Sequence, residues 1–208
     1  MDKFYNVLIT SLEIIKDRGF PISQNDLDID YEIFKYRYNL YSTTDSYDHI
    51  FDFFYELPLK KIAFTYIKDY GDVKNTVDFL KDEHDLSSND TLVLVLSNNE
   101  DIVGTKKIQK SLHDYYIKLG GCTVQIFRID ELAFNITKHN LVPHHRLMNP
   151  LEVDNLINKY SLSSVKQLPI MFVTDPISKY YNFKVGNVCE ITRTNVLSGI
   201  SKAHRLIL

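Results

Sequence analysis

The stretch "HNLVPHHRLM", residues 139–148, contains three of the seven histidines of this 208-residue chain and lies where the sequence pattern changes. Before it, helix and strand patterns alternate through a long acidic region. After it, short segments separated by turns form a smaller basic region. Pro143 keeps the run extended, because proline fixes its own backbone and disfavours helix in the residue before it. We therefore predict two domains, over residues 1–138 and 139–208.

The histidine run is either a metal or catalytic cluster or a structural junction. His139, His144 and His145 have no cysteine or carboxylate at the spacing of a zinc site. The two cysteines, Cys122 and Cys189, lie far apart and form no CxxC pair, which argues against a disulfide framework and a zinc ribbon. We predict that the histidines are polar partners at the junction, and that the chain has no metal site and no cofactor.

Charge is distributed unevenly between the two regions. Residues 1–138 contain 16 Lys and Arg against 23 Asp and Glu, whereas residues 139–208 contain 8 against 4, so the net charges are about −7 and +4. Affinity for nucleic acid comes mainly from neutralising phosphates, so the acidic first domain argues against a stand-alone nucleic-acid-binding protein. The basic second domain is suited to an acidic protein surface, with nucleic acid as the alternative.

The sequence predicts a soluble protein of a reducing compartment, without contact with a membrane. Residues 1–20 mix charged with apolar side chains, unlike a secretory leader. The chain contains no run of about 18 apolar residues.

Two amphipathic helices are predicted at the start of the first domain. Apolar residues of the first helix recur at helical spacing and stop before Gly19: Phe4, Leu8, Leu12 and Ile15. The second helix enters through Ser23, a potential N-cap with Asp26 three residues later. Its apolar stripe consists of Leu27, Tyr31, Phe34 and Tyr38.

A mixed β-sheet is predicted from the pattern that follows. The segments "HIFDFFYE" (49–56) and "KIAFTYIK" (61–68) indicate two strands joined by a short turn at Pro58. Two further strands, "TLVLVLS" (91–97) and "TVQIFRI" (123–129), alternate with helices, and the first of these is apolar on both faces. The helices are marked by Val73, Val77 and Leu80 and by Ile108, Leu112, Tyr115 and Leu119. This alternation implies a mixed sheet with helices packed against it.

The second domain is predicted to be a small α+β unit. Asn149 and Pro150 are the N-cap and first residue of a helix with one apolar face, formed by Val153, Leu156, Ile157 and Tyr160. An Asp175-Pro176 turn follows, Gly186 separates two apolar segments, and "KAHRLIL" (202–208) indicates a terminal strand.

No sequence motif predicts catalysis. The chain lacks a glycine-rich phosphate loop, GxSxG and HExxH. Cys122 opens an apolar strand, which is typical of a small core residue rather than a nucleophile. We predict no catalytic residues.

The second domain resembles the C-terminal assembly domain of the fifth-largest subunit of eukaryotic RNA polymerase II, which polymerases I and III share and which is similar to the small H-type component of archaeal RNA polymerase. The signature His-x-Leu-Val-Pro-x-His of that family matches His139, Leu141, Val142, Pro143 and His145. Its Leu-Pro and Asp-Pro pairs match Leu168, Pro169, Asp175 and Pro176. Further family positions are occupied by Tyr180, Lys184, Gly186, Val188, Ile191, Arg193, Gly199 and Arg205.

The first domain resembles the eukaryote-type jaw of the same subunit through "KDRGFPISQNDLDIDYEIFK" (16–35). The jaw is similar in fold to restriction endonucleases, which raises a nuclease as the alternative function. Such an enzyme needs an Asp and a Glu-x-Lys-like set around a divalent metal. The strand at 91–97 has neither an acidic residue nor a lysine, and the predicted hairpin shows no such triplet.

The chain departs from the family pattern at several positions of the second domain. Asn182 stands where the family usually has Gly, and we expect it to preserve the turn because Asn tolerates a left-handed backbone. Basic or hydroxyl groups of the family are replaced at Lys179, Val185, Asn195 and Leu197.

The resemblance implies a non-catalytic structural subunit of a multisubunit DNA-directed RNA polymerase. The second domain would anchor on the largest subunit, and the jaw would lie near downstream duplex DNA. The expected partner-binding residues are His139, Leu141, Pro143, His145, Asp175, Pro176, Tyr180, Gly186, Arg193 and Arg205. Among these residues, the Asp175-Pro176 turn would present Tyr180 to the partner, and Arg193 and Arg205 would pair with carboxylates of the partner. The expected DNA-proximal residues are Lys60, Lys61, Lys106, Lys107 and Lys110.

The composition favours an AT-rich coding sequence, since the chain has no Trp and abundant Asn, Ile, Lys and Tyr. With the departures above, this suggests a large DNA virus or an AT-rich eukaryote. The expected location is the nucleus in a cellular source, or the cytoplasmic viral factory and virion in a viral one.

Overall fold

The structure is a computed structural model that describes residues 2–22, 28–43, 51–67, 73–96, 121–195 and 199–208. It is mixed α and β, so the expected α+β class is confirmed. The chain divides into two compact units, Met1–Phe134 and Asn135–Leu208. We call these the first unit and the second unit.

Residues 135–138, which the sequence analysis assigned to the first domain, belong to the second unit. Asn135 is buried there, and its side-chain amide donates a hydrogen bond to the Tyr180 hydroxyl over 3.0 Å. Its side-chain oxygen also accepts from the backbone N–H of Thr137, capping the short 3₁₀ helix Ile136–Lys138. The divide therefore precedes the histidine run.

The first unit is built around a four-stranded mixed sheet. Its elements are α1 (Asp2–Asp17), α2 (Tyr31–Thr43), β1 (Phe53–Leu57), β2 (Lys60–Ile67), α3 (Val73–Glu83), β3 (Thr91–Leu96), β4 (Thr123–Arg128) and α4 (Ile129–Leu132). The strand order is β1-β2-β3-β4, where β1 and β2 form an antiparallel hairpin and β2, β3 and β4 run parallel. The predicted mixed sheet is confirmed. The helix predicted at 108–119 lies outside the described residues.

The sheet of the first unit buries both of its faces. All six residues of β3 are buried, as expected for a strand that is apolar on both sides. On one face, α3 places Val77 and Leu80 against Leu92 and Ile126 of the sheet. On the opposite face α1 packs, where the Tyr66 hydroxyl of β2 donates to Ser11.

Aromatic rings fill the space between α1, α2 and the sheet. The Phe4 ring lies 5.1 Å from Phe51 and 5.3 Å from Tyr66, measured between ring centroids. Phe34 of α2 lies 6.3 Å from Phe4 and is fully buried. The apolar stripe predicted for the second helix therefore reaches the core through Phe34.

The second helix begins later than the sequence suggested. Residues 28–30 are not helical, and α2 starts at Tyr31. The Asp30 side chain accepts from the backbone N–H of Glu32 over 2.8 Å, which satisfies one of the open N–H groups of the first turn. The expected cap at Ser23 and Asp26 lies outside the described residues.

The second unit is a smaller α+β structure around its own sheet. Its elements are β5 (His144–Leu147), α5 (Pro150–Tyr160), β6 (Ile170–Met171), α6 (Pro176–Tyr181), β7 (Val188–Asn195) and β8 (Gly199–Ile207). The strand order is β5-β7-β8-β6; β6 runs parallel to β8, and the other neighbours are antiparallel. The predicted terminal strand is β8, which starts before residue 202.

Short polar motifs fix the helices of the second unit. The cap predicted at Asn149 is present, whereas the predicted Asp175-Pro176 turn is the start of a helix. Asn149 caps α5 by accepting from the Glu152 N–H, and the Glu152 carboxylate accepts in return from the Asn149 N–H. Asp175 caps α6, which begins at Pro176. Asn182 ends α6 with a φ of 57°, so the left-handed conformation expected at this position is confirmed.

Asp90 connects β2 to the loop after α3 through hydrogen bonds of its side chain. We predict that Asp90→Ala lowers the free energy of unfolding by about 2–3 kcal/mol. Its buried carboxylate accepts from the N–H of Lys61 over 2.5 Å and from the N–H and hydroxyl of Ser87. Removal would leave these donors without their partner. Denaturant unfolding measures the change.

The matched control is Asn89→Ala, at the exposed neighbouring position, which should change the stability by less than about 0.5 kcal/mol. Equal losses in the two variants would contradict the role assigned to Asp90.

Candidate partner-binding surface

His139 begins a tight turn. Its carbonyl oxygen accepts from the Val142 N–H over 2.9 Å, and its ring Nδ1 accepts from the Leu141 N–H over 3.2 Å. These bonds hold the side chain of Leu141 outward, where it is 85% exposed. His139 therefore shapes the segment that displays an apolar side chain.

His145 has a different role from that of its neighbour His144. It is buried on β5 opposite Ile191, whereas His144 is exposed. Its Nδ1 lies 2.6 Å from the Pro143 carbonyl oxygen, which fixes the ring. Burial lowers the pKa of His145, although the Pro143 carbonyl partly opposes this shift. The site thus favours a neutral imidazole.

The described part of the chain contains no group of three His, Cys, Asp or Glu side chains that could hold a metal ion. Cys122 and Cys189 are both buried, and burial raises the pKa of each thiol to about 11. Thiols of this kind supply little thiolate near neutral pH, so they behave as small core residues.

Tyr180 faces inward, whereas the sequence suggested that the Asp175-Pro176 turn would present it. The side chain is 3% exposed, and its hydroxyl accepts from Asn135. The reason lies in α6, whose inner face also buries Ile177. In this chain Tyr180 holds the start of the second unit in place, and its contact with a partner stays a prediction.

Gly186 supports a turn through its backbone. Its φ is +89°, a conformation that disfavours other residues, and its N–H donates to the Ile207 carbonyl over 3.0 Å. The position is exposed, and an added Cβ would meet no atom within 4 Å. Gly186 therefore leaves an open surface beside the end of β8.

The two arginines proposed for ion pairing differ in availability. The Arg193 side chain is exposed on β7 and has no hydrogen bond or ion pair with any residue that the structure describes. Arg205 is half-buried on β8, and its guanidinium lies 3.5 Å from the Ile170 carbonyl oxygen. Arg193 is consequently the better candidate for an intermolecular salt bridge.

A charge cluster that the sequence analysis missed lies on the sheet of the second unit. The buried Glu190 carboxylate accepts from Arg146 over 2.9 Å and from Lys202 over 3.2 Å, and His204 lies 3.6 Å away. Burial alone would raise the pKa of Glu190, but the bonds from Lys202 and Arg146 outweigh it and lower the pKa. Arg146 also pairs with Glu152.

The single acidic residue within the apolar run "VCEIT" (188–192) was a signal for this cluster. A carboxylate that is buried in such a run requires cationic side chains within hydrogen-bonding distance. The cluster uses two of the basic residues that give the second domain its positive charge.

Lys60 and Lys61 stabilise the ends of helices. The Lys60 ammonium donates to the carbonyl oxygen of Arg18, just past α1, over 2.7 Å, and lies 4.7 Å from the centroid of the Phe20 ring. Lys61 donates to the carbonyl of His84, just past α3, over 3.2 Å. Cations are favourable at helix C-termini, so these lysines have a structural role in the chain itself.

Contact of Lys60 and Lys61 with DNA stays a prediction, and a phosphate would have to compete with these carbonyl groups. Lys106, Lys107 and Lys110 lie outside the described residues. Within the described ranges, no helix combines the length and apolar character needed to cross a membrane.

The fold of the second unit agrees with a family comparison. Residues 134–207 match the model of the family described as RNA polymerase Rpb5, C-terminal domain, so this part of the chain is similar to that domain. The resemblance inferred from the histidine and Asp-Pro motifs is confirmed.

Curated relatives extend this relationship over nearly the whole chain. "DNA-directed RNA polymerases IV and V subunit 5B" of Arabidopsis thaliana is 29% identical over 99% of this chain and 89% of its own length. The Dictyostelium discoideum protein "DNA-directed RNA polymerases I, II, and III subunit rpabc1" is 29% identical, covering 99% and 98%. The Caenorhabditis elegans RPABC1 protein is 26% identical, covering 99% and 96%. The chain is thus similar to polymerase subunit 5 proteins over nearly its whole length.

We predict that His145 makes the second unit more stable at pH 7 than at pH 5. The pKa of His145 is lowered in the folded chain, whereas in the unfolded chain it is about 6.5. As pH falls below about 6.5, the unfolded chain therefore binds more protons than the folded chain. The stabilising contribution is full above that pH and is lost as pH falls towards the folded pKa. Amide hydrogen exchange of β7 across this pH range measures the effect.

The variant His145→Gln should show a weaker pH dependence between pH 7 and pH 5 than the parent chain. The carboxylates Glu152 and Glu190, whose pKa values are also lowered, lose their contribution only at more acidic pH. An unchanged slope in His145→Gln would contradict the prediction.

Proposed function

We propose that this chain is a non-catalytic structural subunit of a multisubunit DNA-directed RNA polymerase. The observation that supports the proposal most directly is the alignment of 99% of the chain with proteins named as polymerase subunits. A domain of this family could occur in a protein with another function. The match across both units favours a polymerase subunit role for the whole chain. The nuclease alternative has no observation in its favour.

We further propose that the second unit anchors the chain on the largest polymerase subunit. Its surface combines exposed apolar side chains with positive charge, as at Leu141, Leu151 and Arg193. Apolar contacts supply affinity, while exposed cations select an acidic partner surface. His139, Pro143, His145 and Asp175 support this surface by holding turns and strands in place.

The proposed place of the first unit is the jaw beside downstream duplex DNA. Its net charge of about −7 argues against strong DNA binding by the free chain. Contact with DNA would then depend on the position that the polymerase imposes on the unit. The proposed location is the nucleus for a cellular source and the viral factory and virion for a viral one.

Co-purification tests the anchoring role. The full chain, residues 1–134 and residues 135–208 are each co-expressed with the largest subunit, after a check that each fragment is soluble and folded. We expect capture of the full chain and of residues 135–208. Capture of residues 1–134 alone would overturn the assignment of the anchor, and capture of none would overturn the proposed function.

Within the full chain, we predict that Arg193→Glu weakens binding to the largest subunit by about tenfold or more. The side chain is exposed and has no partner within the described residues, so the substitution should change the stability by less than about 0.5 kcal/mol. Lys166→Glu, which makes the same charge change at another exposed position, is the control. Equal binding by both variants would exclude Arg193 from the interface.

A further inference from the structure

A groove crosses the first unit between the C-terminal part of α3 and strand β1. Its cavity has a volume of about 190 Å³ and is lined by Asp52, Phe54, Thr65, Leu80, Glu83 and His84, among other residues. The groove lies in the first unit, outside the domain that the family model covers. The proposed anchoring and DNA contacts make no use of it.

Among the described residues, no strand pairs with β1 on the side that faces away from β2. The Lys61 N–H donates to Asp90, beside β3, whereas the Tyr66 N–H donates to Asp52, beside β1. Backbone N–H groups alternate in direction along a strand, so the even-numbered residues of β2 point towards β1 and the odd-numbered residues point towards β3. Phe54 and Glu56 lie opposite the odd-numbered Ala63 and Lys61, so these two pairs are not hydrogen-bonded to each other. Their N–H and C=O groups therefore point to the outer edge, where no described strand pairs with them.

The side chains along this edge combine aromatic and acidic character. The Phe54 ring stacks on the His84 ring, with centroids 4.3 Å apart, and is still 38% exposed. Phe79 lies one turn before Glu83 on the same face of α3 and is 55% exposed. Both Glu83 and Glu56 are exposed, and Glu56 lies 3.7 Å from the Lys61 ammonium. The groove thus offers apolar contact and negative charge beside open backbone groups.

We propose that this edge binds an extended basic segment of another protein as an added β-strand. Main-chain hydrogen bonds to Phe54 and Glu56 would supply affinity, and alternate side chains of the segment would enter the groove. Lys or Arg at those positions would meet Glu83 and pack its aliphatic stem on Phe54. Glu56 would be shared with Lys61, which already lies 3.7 Å from it. The acidic charge of the first domain disfavours an acidic segment or a phosphate at the same place.

A second copy of the chain fits this edge poorly. In an antiparallel pairing of two β1 edges, the outward Glu56 side chains and the Glu83 residues of both copies would lie close together. Like charges across paired strands are destabilising. The inference is independent of the polymerase role, so its failure would leave the proposed function unchanged.

The test uses the full chain labelled with ¹⁵N and a synthetic peptide, acetyl-Lys-Thr-Lys-Val-Lys-Thr-Lys-amide. We expect amide shifts at Phe54 and Glu56 that saturate with peptide concentration. Replacing every Lys of the peptide with Glu, or methylating alternate backbone nitrogens, should abolish them. Absence of binding, or binding that is insensitive to backbone methylation, would overturn the proposal.

Charge reversal on α3 provides the matched comparison. Glu83→Lys should weaken peptide binding by about tenfold, whereas Asp82→Lys, at the exposed neighbouring position that does not line the groove, should change it by less than about twofold. Unchanged spectra away from the groove verify that both variants fold. If Glu83→Lys does not fold, Glu83→Gln is used in its place. Equal weakening by both reversals would show attraction by net charge only and would overturn the site.

Discussion

The burial of β3 on both faces is the constraint on which the first unit depends. A strand with no solvent-exposed side needs a hydrogen-bonded neighbour on each edge and a packed layer on each face, and β3 has parallel neighbours in β2 and β4. The apolar run supplies the buried side chains, but apolar packing alone does not stop the strand from slipping. Asp90, directly before the strand, provides that group by binding the start of β2 and the loop that leaves α3. One carboxylate therefore fixes the register of the sheet that the apolar residues stabilise.

Much of this arrangement follows from sequence because periodicity reports burial. The two-sided apolar run identified β3, and Asn149-Pro150 marked a helix start through capping chemistry that acts within a few residues. Asn182 is a similar case, since its left-handed backbone depends on its own side chain. Local rules of this kind need no knowledge of the partner elements.

The features that sequence reasoning missed depend on contacts distant along the chain. The bond from Asn135 to Tyr180 spans 45 residues, and it moves the start of the second unit to before the histidine run. The partners of Glu190 come from β5 and β8 on either side of it. For Lys60 and Lys61, the sequence shows the charge but not the carbonyl groups that bind it, and their contact with DNA stays a prediction. A count of basic residues thus overstates the charge available to a partner.

The sheet topologies also predict different folding behaviour for the two units. In the first unit, both parallel pairings join strands separated by long connections, so chain entropy must be lost before any contact forms between them. In the second unit, β7 and β8 are separated only by residues 196–198 and form the longest antiparallel pairing of its sheet. The first unit, which folds more slowly, is synthesised before the second and can fold while the second is being translated. The second unit, which leaves the ribosome after the first, contains a local nucleus that can form within microseconds, about the time of a hairpin.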